Sequence, residues 1–106
     1  MIEIEDSSGN IYEDLQVTDA DAMRIKARLA SKIADIIHHR HLTQQQAAEI
    51  LGIPQSKLSG LLRGQFREIS ETKMIECLNH LGRDVEIVIR KAPRSHTQGQ
   101  TQVVYY

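Results

Sequence analysis

Apolar residues recur at intervals of three and four positions between residues 20 and 39, which predicts a long amphipathic helix. Asp19 or Thr18 can cap its first turn, and the acids Asp19 and Asp21 suit the positive end of the helix dipole. The apolar positions are Met23, Ala27, Leu29, Ala30, Ile33, Ala34, Ile36 and Ile37. We expect this stripe to face the core and the polar residues between its members to face solvent.

A second, shorter apolar pattern predicts a helix over residues 44 to 51. Thr43 precedes it and Gln46 follows three residues later, which is the spacing of a capping box. Gly52 tolerates the positive φ of a tight turn and is therefore expected to end the helix. The apolar face consists of Ala47, Ala48, Ile50 and Leu51, and Ile53 is expected to return to the core.

A third helix is predicted from Pro54 to Leu62, because proline in a first helical turn loses no hydrogen bond. Leu58 and Leu61 are its buried positions. Its outward residues, flanked by Lys57 and Arg63, are Gln55, Ser56, Ser59 and Gly60. Two helices joined by so short a turn, with a small residue at their contact, predict a helix-turn-helix, and a generic helical hairpin is the alternative.

A fourth helix is predicted from residue 71 to 81, with Ser70 as its cap and Gly82 at its end. Its apolar stripe is Met74, Ile75, Leu78 and Leu81. Residues 84 to 90 then alternate between polar and β-branched residues, which predicts a strand with one apolar face. Val85, Ile87 and Ile89 on that face need a cover, which is either a second copy of the chain in a dimer or the first helix of the same chain.

These elements predict one mainly α domain over residues 19 to 91, with about four to five helices and a short C-terminal β-strand. We expect residues 1 to 18 to form an acidic N-terminal arm, where a short strand could form around residues 1 to 5 or 10 to 12. Residues 92 to 106 are expected to form a polar, flexible tail. A chain of 106 residues suits a single domain. With one Phe, three Tyr and no Trp, the core must consist of Leu, Ile, Val, Ala and Met.

The composition excludes several classes of protein. No apolar run is long enough to span a membrane, and the acidic N-terminus does not resemble a secretory signal. Cys77 is the only cysteine, so we expect no disulfide framework or cysteine metal site, and a reduced, half-buried thiol in the cytoplasm.

The distribution of charge changes the picture more than the formal net charge of −1 does. Residues 1 to 22 contain seven acidic residues and no Lys or Arg. Residues 23 to 106 contain all thirteen basic residues against seven acids, and thirteen minus seven leaves +6 with His neutral. Such an asymmetry favours a body that faces nucleic acid and carries an acidic arm.

The histidines His38, His39 and His41 are candidates for a metal cluster or, with Asp35 or Glu49, for catalysis. A polar helix end, where cations are favoured, explains them more simply, because no cysteine or acid stands nearby at ligand spacing. No nucleophile elbow, glycine-rich phosphate loop or paired-acid spacing is present. We therefore expect no enzyme activity, no metal and no cofactor.

The residues that carry the turn resemble the phage-repressor, or Xre-type, helix-turn-helix family. The matching positions are Leu42, Thr43, Gln44, Ala47, Ala48, Leu51, Gly52, Ile53, Gln55, Ser56, Leu58, Leu61 and Gly64. The resemblance implies a lambda-repressor-like bundle that places residues 54 to 62 in the major groove of DNA. It also implies a homodimer that binds a palindromic operator.

The same outward face suits DNA on chemical grounds. Gln can bond adenine in two places, Ser suits either class of base, and Lys reaches guanine or phosphate. The predicted DNA-binding residues are Thr43, Gln44, Gln55, Ser56, Lys57, Ser59, Arg63 and Arg67. Gln44, at a helix N-terminus, is expected to contact phosphate, and Thr43, Arg63, Gln65 and Arg67 could add phosphate contacts. Ordinary solvated surface residues are the alternative for each of them.

Three further segments resemble one branch of the family, the HigA-type antitoxins. They are residues 7 to 15, residues 62 to 66 and residues 81 to 90. The resemblance implies an autorepressing regulator paired with a RelE-like ribonuclease toxin, whose basic surface the acidic segment Glu3–Asp21 could neutralise. A stand-alone regulator without a toxin and a pure protein-interaction module are the alternatives.

Overall fold

The computed structural model describes residues 19–95 and 98–105. The predictions for residues 1 to 18, an acidic arm and a short strand, lie outside the described residues. Within the described part, the chain forms four α-helices: α1 (Asp19–His39), α2 (Gln44–Leu51), α3 (Gln55–Leu62) and α4 (Glu71–His80). The four predicted helices are therefore confirmed, with ends that agree to within one residue.

Local capping explains where α2 and α4 begin. The backbone N–H of Gln46 donates to Thr43 Oγ1 at 3.1 Å, and the N–H of Thr43 donates to Gln46 Oε1 at 2.9 Å. This reciprocal pair is the predicted capping box. At α4, the Ser70 hydroxyl accepts from the N–H of Lys73 at 3.1 Å. Both starts follow from residues within three positions of the cap, which is why the sequence pattern locates them.

The core lies where α1 packs against α3 and α4, and where α2 packs against α3 and α4. Its most deeply buried large side chains are Ile33, Leu51, Leu58, Met74 and Cys77. Of the expected valines, none is fully buried among the described residues, and Val103 packs partly buried against the core. Instead Phe66 and Ile69, in the connection between α3 and α4, close the core. In α1, the buried stripe includes Ala22 and Ile25, whereas the predicted Ala27 is exposed.

The predicted strand over residues 84 to 90 is wrong for this chain, because the described part of the structure contains no strand there or elsewhere. Ile87, Val88 and Ile89 are 79%, 66% and 76% exposed, so they are not covered by α1 either. Alternating polarity shows that a segment is suited to a half-buried sheet, but a strand exists only when another strand satisfies its backbone N–H and C=O groups. No described segment of the same chain does so.

The C-terminal residues return to α1. Arg28 Nη2 donates to the carbonyl oxygen of Val103 at 3.0 Å, and the Tyr105 hydroxyl donates to the carbonyl oxygen of Arg28. The Tyr105 ring also lies 5.0 Å from both Arg28 Cζ and Lys32 Nζ, a distance at which cations are attracted to an aromatic face. Residues 103 to 105, part of the predicted tail, thus lie against α1. None of the helices described is both long and apolar enough to cross a membrane.

Candidate nucleic-acid interface

The turn between α2 and α3 sets the direction of α3. Gly52 takes φ +71°, the left-handed conformation that favours glycine, and its N–H donates to the carbonyl oxygen of Ala48 at 2.9 Å. The N–H of Ile53 donates to the same oxygen at 3.2 Å, and the Ile53 side chain is buried. Pro54 then leaves the turn in extended conformation as the N-cap of α3, so the helix begins one residue later than predicted. Three residues therefore join α2 to α3, which is the short connection that a helix-turn-helix requires.

The side of α3 that faces away from the core is polar. Leu58 and Leu61 are 0% and 2% exposed and lie on one side of the helix. At about 100° per residue, Ser56, Ser59, Gly60 and Arg63 fall on the opposite side, with Gln55 and Lys57 at its two edges. Gln55, Ser56, Lys57 and Arg63 are exposed, and Ser59 and Gly60 are half-buried. The structure thus brings together the residues that were predicted to face DNA from this helix.

Arg63 organises the C-terminal end of this face. Its Nη1 donates to the Ser59 hydroxyl oxygen at 2.7 Å, and its Nη2 donates to Gln65 Oε1 at 3.2 Å. Both partners are neutral, so these contacts bring no carboxylate beside the guanidinium, which has further N–H donors. The Ser59 hydroxyl accepts from Arg63 and therefore keeps its own proton to donate. We call Ser59, Arg63 and Gln65 the arginine cluster.

Gly60 and Gln65 lie close together, because the N–H of Gln65 donates to the carbonyl oxygen of Gly60 at 2.8 Å. A Cβ at residue 60 would lie 3.4 Å from the Gln65 carbonyl oxygen. This is an ordinary van der Waals distance, so the return of the chain after α3 does not itself require glycine at residue 60.

The start of α2 offers a second polar group. Thr43 and Gln44 are exposed. The Thr43 hydroxyl accepts in the capping box but, like Ser59, it retains a proton that it can donate. The N–H groups of a first helical turn have no partner within the helix and can bind an anion such as phosphate. The geometry is thus compatible with the phosphate contact predicted for this turn, and the contact stays a prediction.

Arg67 lies in a different environment from the arginine cluster. Its Nη1 bonds both carboxylate oxygens of Asp19, at 3.0 and 2.9 Å, and its carbonyl oxygen accepts from Lys26 Nζ at 2.7 Å. These contacts hold the connection between α3 and α4 against the first two turns of α1. A phosphate would have to compete with Asp19 for this guanidinium, so the structure supports the predicted DNA contact of Arg67 less than that of Arg63.

The histidines at the end of α1 show no convergence on a common point. His39 Nδ1 lies 3.1 Å from the carbonyl oxygen of Asp35, and the rings of His38 and His39 are perpendicular, with centroids 6.3 Å apart. Within residues 19–95 and 98–105, no three His, Cys, Asp or Glu side chains are arranged to hold a metal ion.

The contact between Ser59 and Arg63 is a feature that sequence reasoning missed. The two residues are four positions apart on a helix, a spacing that places side chains side by side, so the pattern itself contained the signal. The pairing of Arg67 with Asp19 spans 48 positions in the sequence, so no local pattern predicts it.

Residues 11–90 match a protein family described as "Helix-turn-helix domain". A solved structure described as a "Putative XRE Family Transcriptional Regulator" is similar to this chain, with a TM-score of 0.80 and 39% sequence identity. The similarity covers 84% of this chain and 100% of that one. Among curated proteins, none matches.

Proposed function

The chain belongs to the Xre-type helix-turn-helix family, and on that premise we propose that it is a sequence-specific, DNA-binding transcriptional regulator of the cytoplasm. One observation carries the proposal: α3 rests on Leu58 and Leu61 and presents only small polar or basic groups on its other side. An acidic side chain there would repel phosphate, and a large apolar one would not bond base edges. Neither occurs between Gln55 and Arg63 on that side.

The polar side chains on this face can bond base edges in the major groove, and the cationic ones can bond the phosphates beside it. The amide of Gln55 can bond N6 and N7 of adenine together, and Ser56 can donate to a purine N7 or a thymine O4. The Ser59 hydroxyl accepts from Arg63 and still has its own proton to donate, which suits acceptor atoms such as guanine O6. The cationic side chains of Lys57 and Arg63 suit phosphates, as does the first turn of α2 with Gln44.

DNA affinity measured on the upstream region of the protein's own gene tests the proposal. The variant Gln55→Ala/Ser59→Ala should bind that DNA more weakly by about 1–3 kcal/mol for each base that the side chains no longer bond, with an unchanged far-UV circular dichroism spectrum. The matched control is Ser95→Ala/Gln100→Ala, which removes the same atoms from exposed positions outside the helices. Equal affinities for the two variants would refute the assignment of α3 as the reading helix.

Salt dependence separates base contacts from phosphate contacts. The logarithm of the binding constant should fall linearly with the logarithm of the salt concentration, because Lys and Arg side chains that bind phosphates release counterions from the DNA. Arg63→Gln should reduce that slope by about one for each copy bound, whereas Gln55→Ala should leave it unchanged. Identical slopes for both variants would contradict the phosphate role of Arg63.

We further propose that the regulator is an autorepressing, HigA-like antitoxin that neutralises a RelE-like ribonuclease. Two features support this: the three resembling segments, and the seven acidic residues without Lys or Arg in residues 1 to 22, which suit a basic RNA-binding surface. Co-expression with the small basic protein encoded beside it tests the proposal. A co-purifying complex and restored growth are expected; without either, the protein is a stand-alone regulator.

Finally, we propose that the protein binds a palindromic operator as a homodimer. A single α3 reads only a few base pairs, whereas two copies related by a two-fold axis read half-sites about one helical turn apart. A footprint on the upstream region should show two protected half-sites with that spacing, and a single protected half-site would contradict the dimer.

A further inference from the structure

A run of large apolar side chains lies exposed just after α4. Val85, Ile87, Val88 and Ile89 are 36%, 79%, 66% and 76% exposed, which leaves this apolar segment without a cover among the described residues. Isolated exposed apolar residues are ordinary, but a contiguous patch marks a binding surface. The flanking residues are charged and of opposite sign: Asp84 at one end, Arg90 and Lys91 at the other.

We propose that residues 84 to 90 pair antiparallel with the same residues of a second copy of this chain, with Ile87 beside the partner's Ile87 on the two-fold axis. In this register Val85 lies opposite the partner's Ile89. Residues directly opposite each other in a strand pair share one face, so all apolar residues at odd positions form one patch. The backbone N–H and C=O groups of residues 84 to 90 would then form a ladder of hydrogen bonds with those of the second copy.

The charges select this arrangement over a parallel one. Antiparallel pairing about Ile87 places Asp84 opposite the partner's Arg90, twice by symmetry. Parallel pairing in register would instead place Asp84, Glu86 and Arg90 each opposite its own copy, and like charges directly opposite destabilise a strand pair. The opposite charges of Asp84 and Arg90 thus favour antiparallel over parallel pairing of the two copies.

The apolar residues select the register. Pairing about Val88 would still oppose Glu86 and Arg90, but it would place Val85 opposite the partner's Lys91. Pairing about Glu86 would bring two carboxylates together. Only pairing about Ile87 sets Val85, Ile87 and Ile89 entirely against one another. A seam of seven residues a side is short, so we expect a dissociation constant on the order of micromolar in the absence of DNA.

Cysteine cross-linking tests the register. Ile87→Cys should form a disulfide-linked dimer under mild oxidation, because opposite residues in a strand pair have Cα atoms about 4.5–5.5 Å apart. Val85→Cys is the matched control: its two copies would be offset by four residues, or about 13 Å, too far to bridge. The parent chain serves as the blank, since its own Cys77 is buried. Cross-linking of Val85→Cys or Val88→Cys in preference to Ile87→Cys would overturn the register.

A charge swap tests the pairing without new cysteines. Asp84→Arg and Arg90→Asp, each alone, should raise the dimer dissociation constant about tenfold in sedimentation velocity, because each places two like-charged pairs in the seam. Combining both substitutions should restore the parent value, since opposite charges then face each other again. A double variant no better than the single ones, or a parent chain that stays monomeric at about 100-fold the expected dissociation constant, would overturn the proposal.

This inference rests on the proposed function in one respect, which is that the protein forms a homodimer. The experiments use no DNA, so their failure would leave the polar face of α3 and its operator contacts untouched. Conversely, a cross-linked Ile87→Cys dimer that binds no DNA would refute the proposed regulator and leave the seam intact.

Discussion

Leu58 supports α3 from beneath, and its removal measures how strongly the core holds that helix. The side chain is 0% exposed in a core formed by all four described helices. Truncating a buried leucine to alanine costs about 2–5 kcal/mol, because apolar burial is lost and a cavity remains. Domains of this size are stable by about 5–15 kcal/mol, so Leu58→Ala should remove a large fraction of the total.

Leu62, one turn later in α3, is the matched control. It is half-buried against the core, and Leu62→Ala makes the same chemical change in the same helix. Alanine favours helix only slightly more than leucine does, so the propensity contribution is small beside the loss of burial. We expect Leu62→Ala to cost about 1 kcal/mol, because its apolar surface is only partly removed from water.

Urea unfolding followed by circular dichroism at about 222 nm checks both values. The unfolding midpoint of Leu58→Ala should lie at least about 0.5 M below that of Leu62→Ala, given a slope of about 1–2 kcal/mol per molar urea. Equal midpoints, or a loss below about 1 kcal/mol for Leu58→Ala, would show that α3 does not rest on this leucine. The placement of its polar face would then lose its support.

Three further measurements probe other parts of the molecule. Burial raises the pKa of Glu71, so the carboxyl's contribution to stability is present below its unfolded pKa and is lost as pH rises through the folded one. Glu71→Gln should therefore gain unfolding free energy relative to the parent as pH rises from about 4; a constant difference in urea melts would contradict this. Burial also raises the pKa of the Cys77 thiol, which is 1% exposed. Ellman's reagent at about pH 8 should label it only at the rate of unfolding, and rapid labelling of the native protein would refute its burial. Tyr105→Ala should speed proteolysis of the C-terminal residues, whereas Tyr105→Phe, which keeps the ring over Arg28 and Lys32, should do so less. Equal rates for the two variants would assign the attachment to the hydroxyl alone.

The helices could be predicted from the sequence because their boundaries depend on near neighbours. The capping box at Thr43, the left-handed turn at Gly52 and the cap at Ser70 each involve residues within four positions. The polar face of α3 follows equally directly, because the strongly apolar residues Leu58, Leu61 and Leu62 all lie on one side of the helix. For these elements, periodicity and capping are sufficient physical causes.

The parts that could not be predicted depend on contacts between distant residues. Phe66 and Ile69 enter the core from a connection without periodicity, so no pattern separates them from exposed loop residues. The charge of Arg67 suggests a phosphate partner, whereas the structure shows Asp19 within reach of it across the bundle. A cation's partner is set by which elements meet, and that is known only once the fold is.

The segment from Asp84 to Arg90 shows how a polarity pattern and a secondary structure differ. Alternation predicts that one side of an extended chain is removed from water, whereas Ile87 and Ile89 are 79% and 76% exposed within the described chain. A strand additionally needs a neighbour to bond its backbone, and within the described chain none is present. The alternating pattern therefore identifies a segment suited to a sheet, but it does not establish a strand within one chain. The proposed operator needs two copies of the chain, and each copy supplies residues 84 to 90. These residues of the two copies can satisfy each other's backbone groups, which is the pairing proposed above.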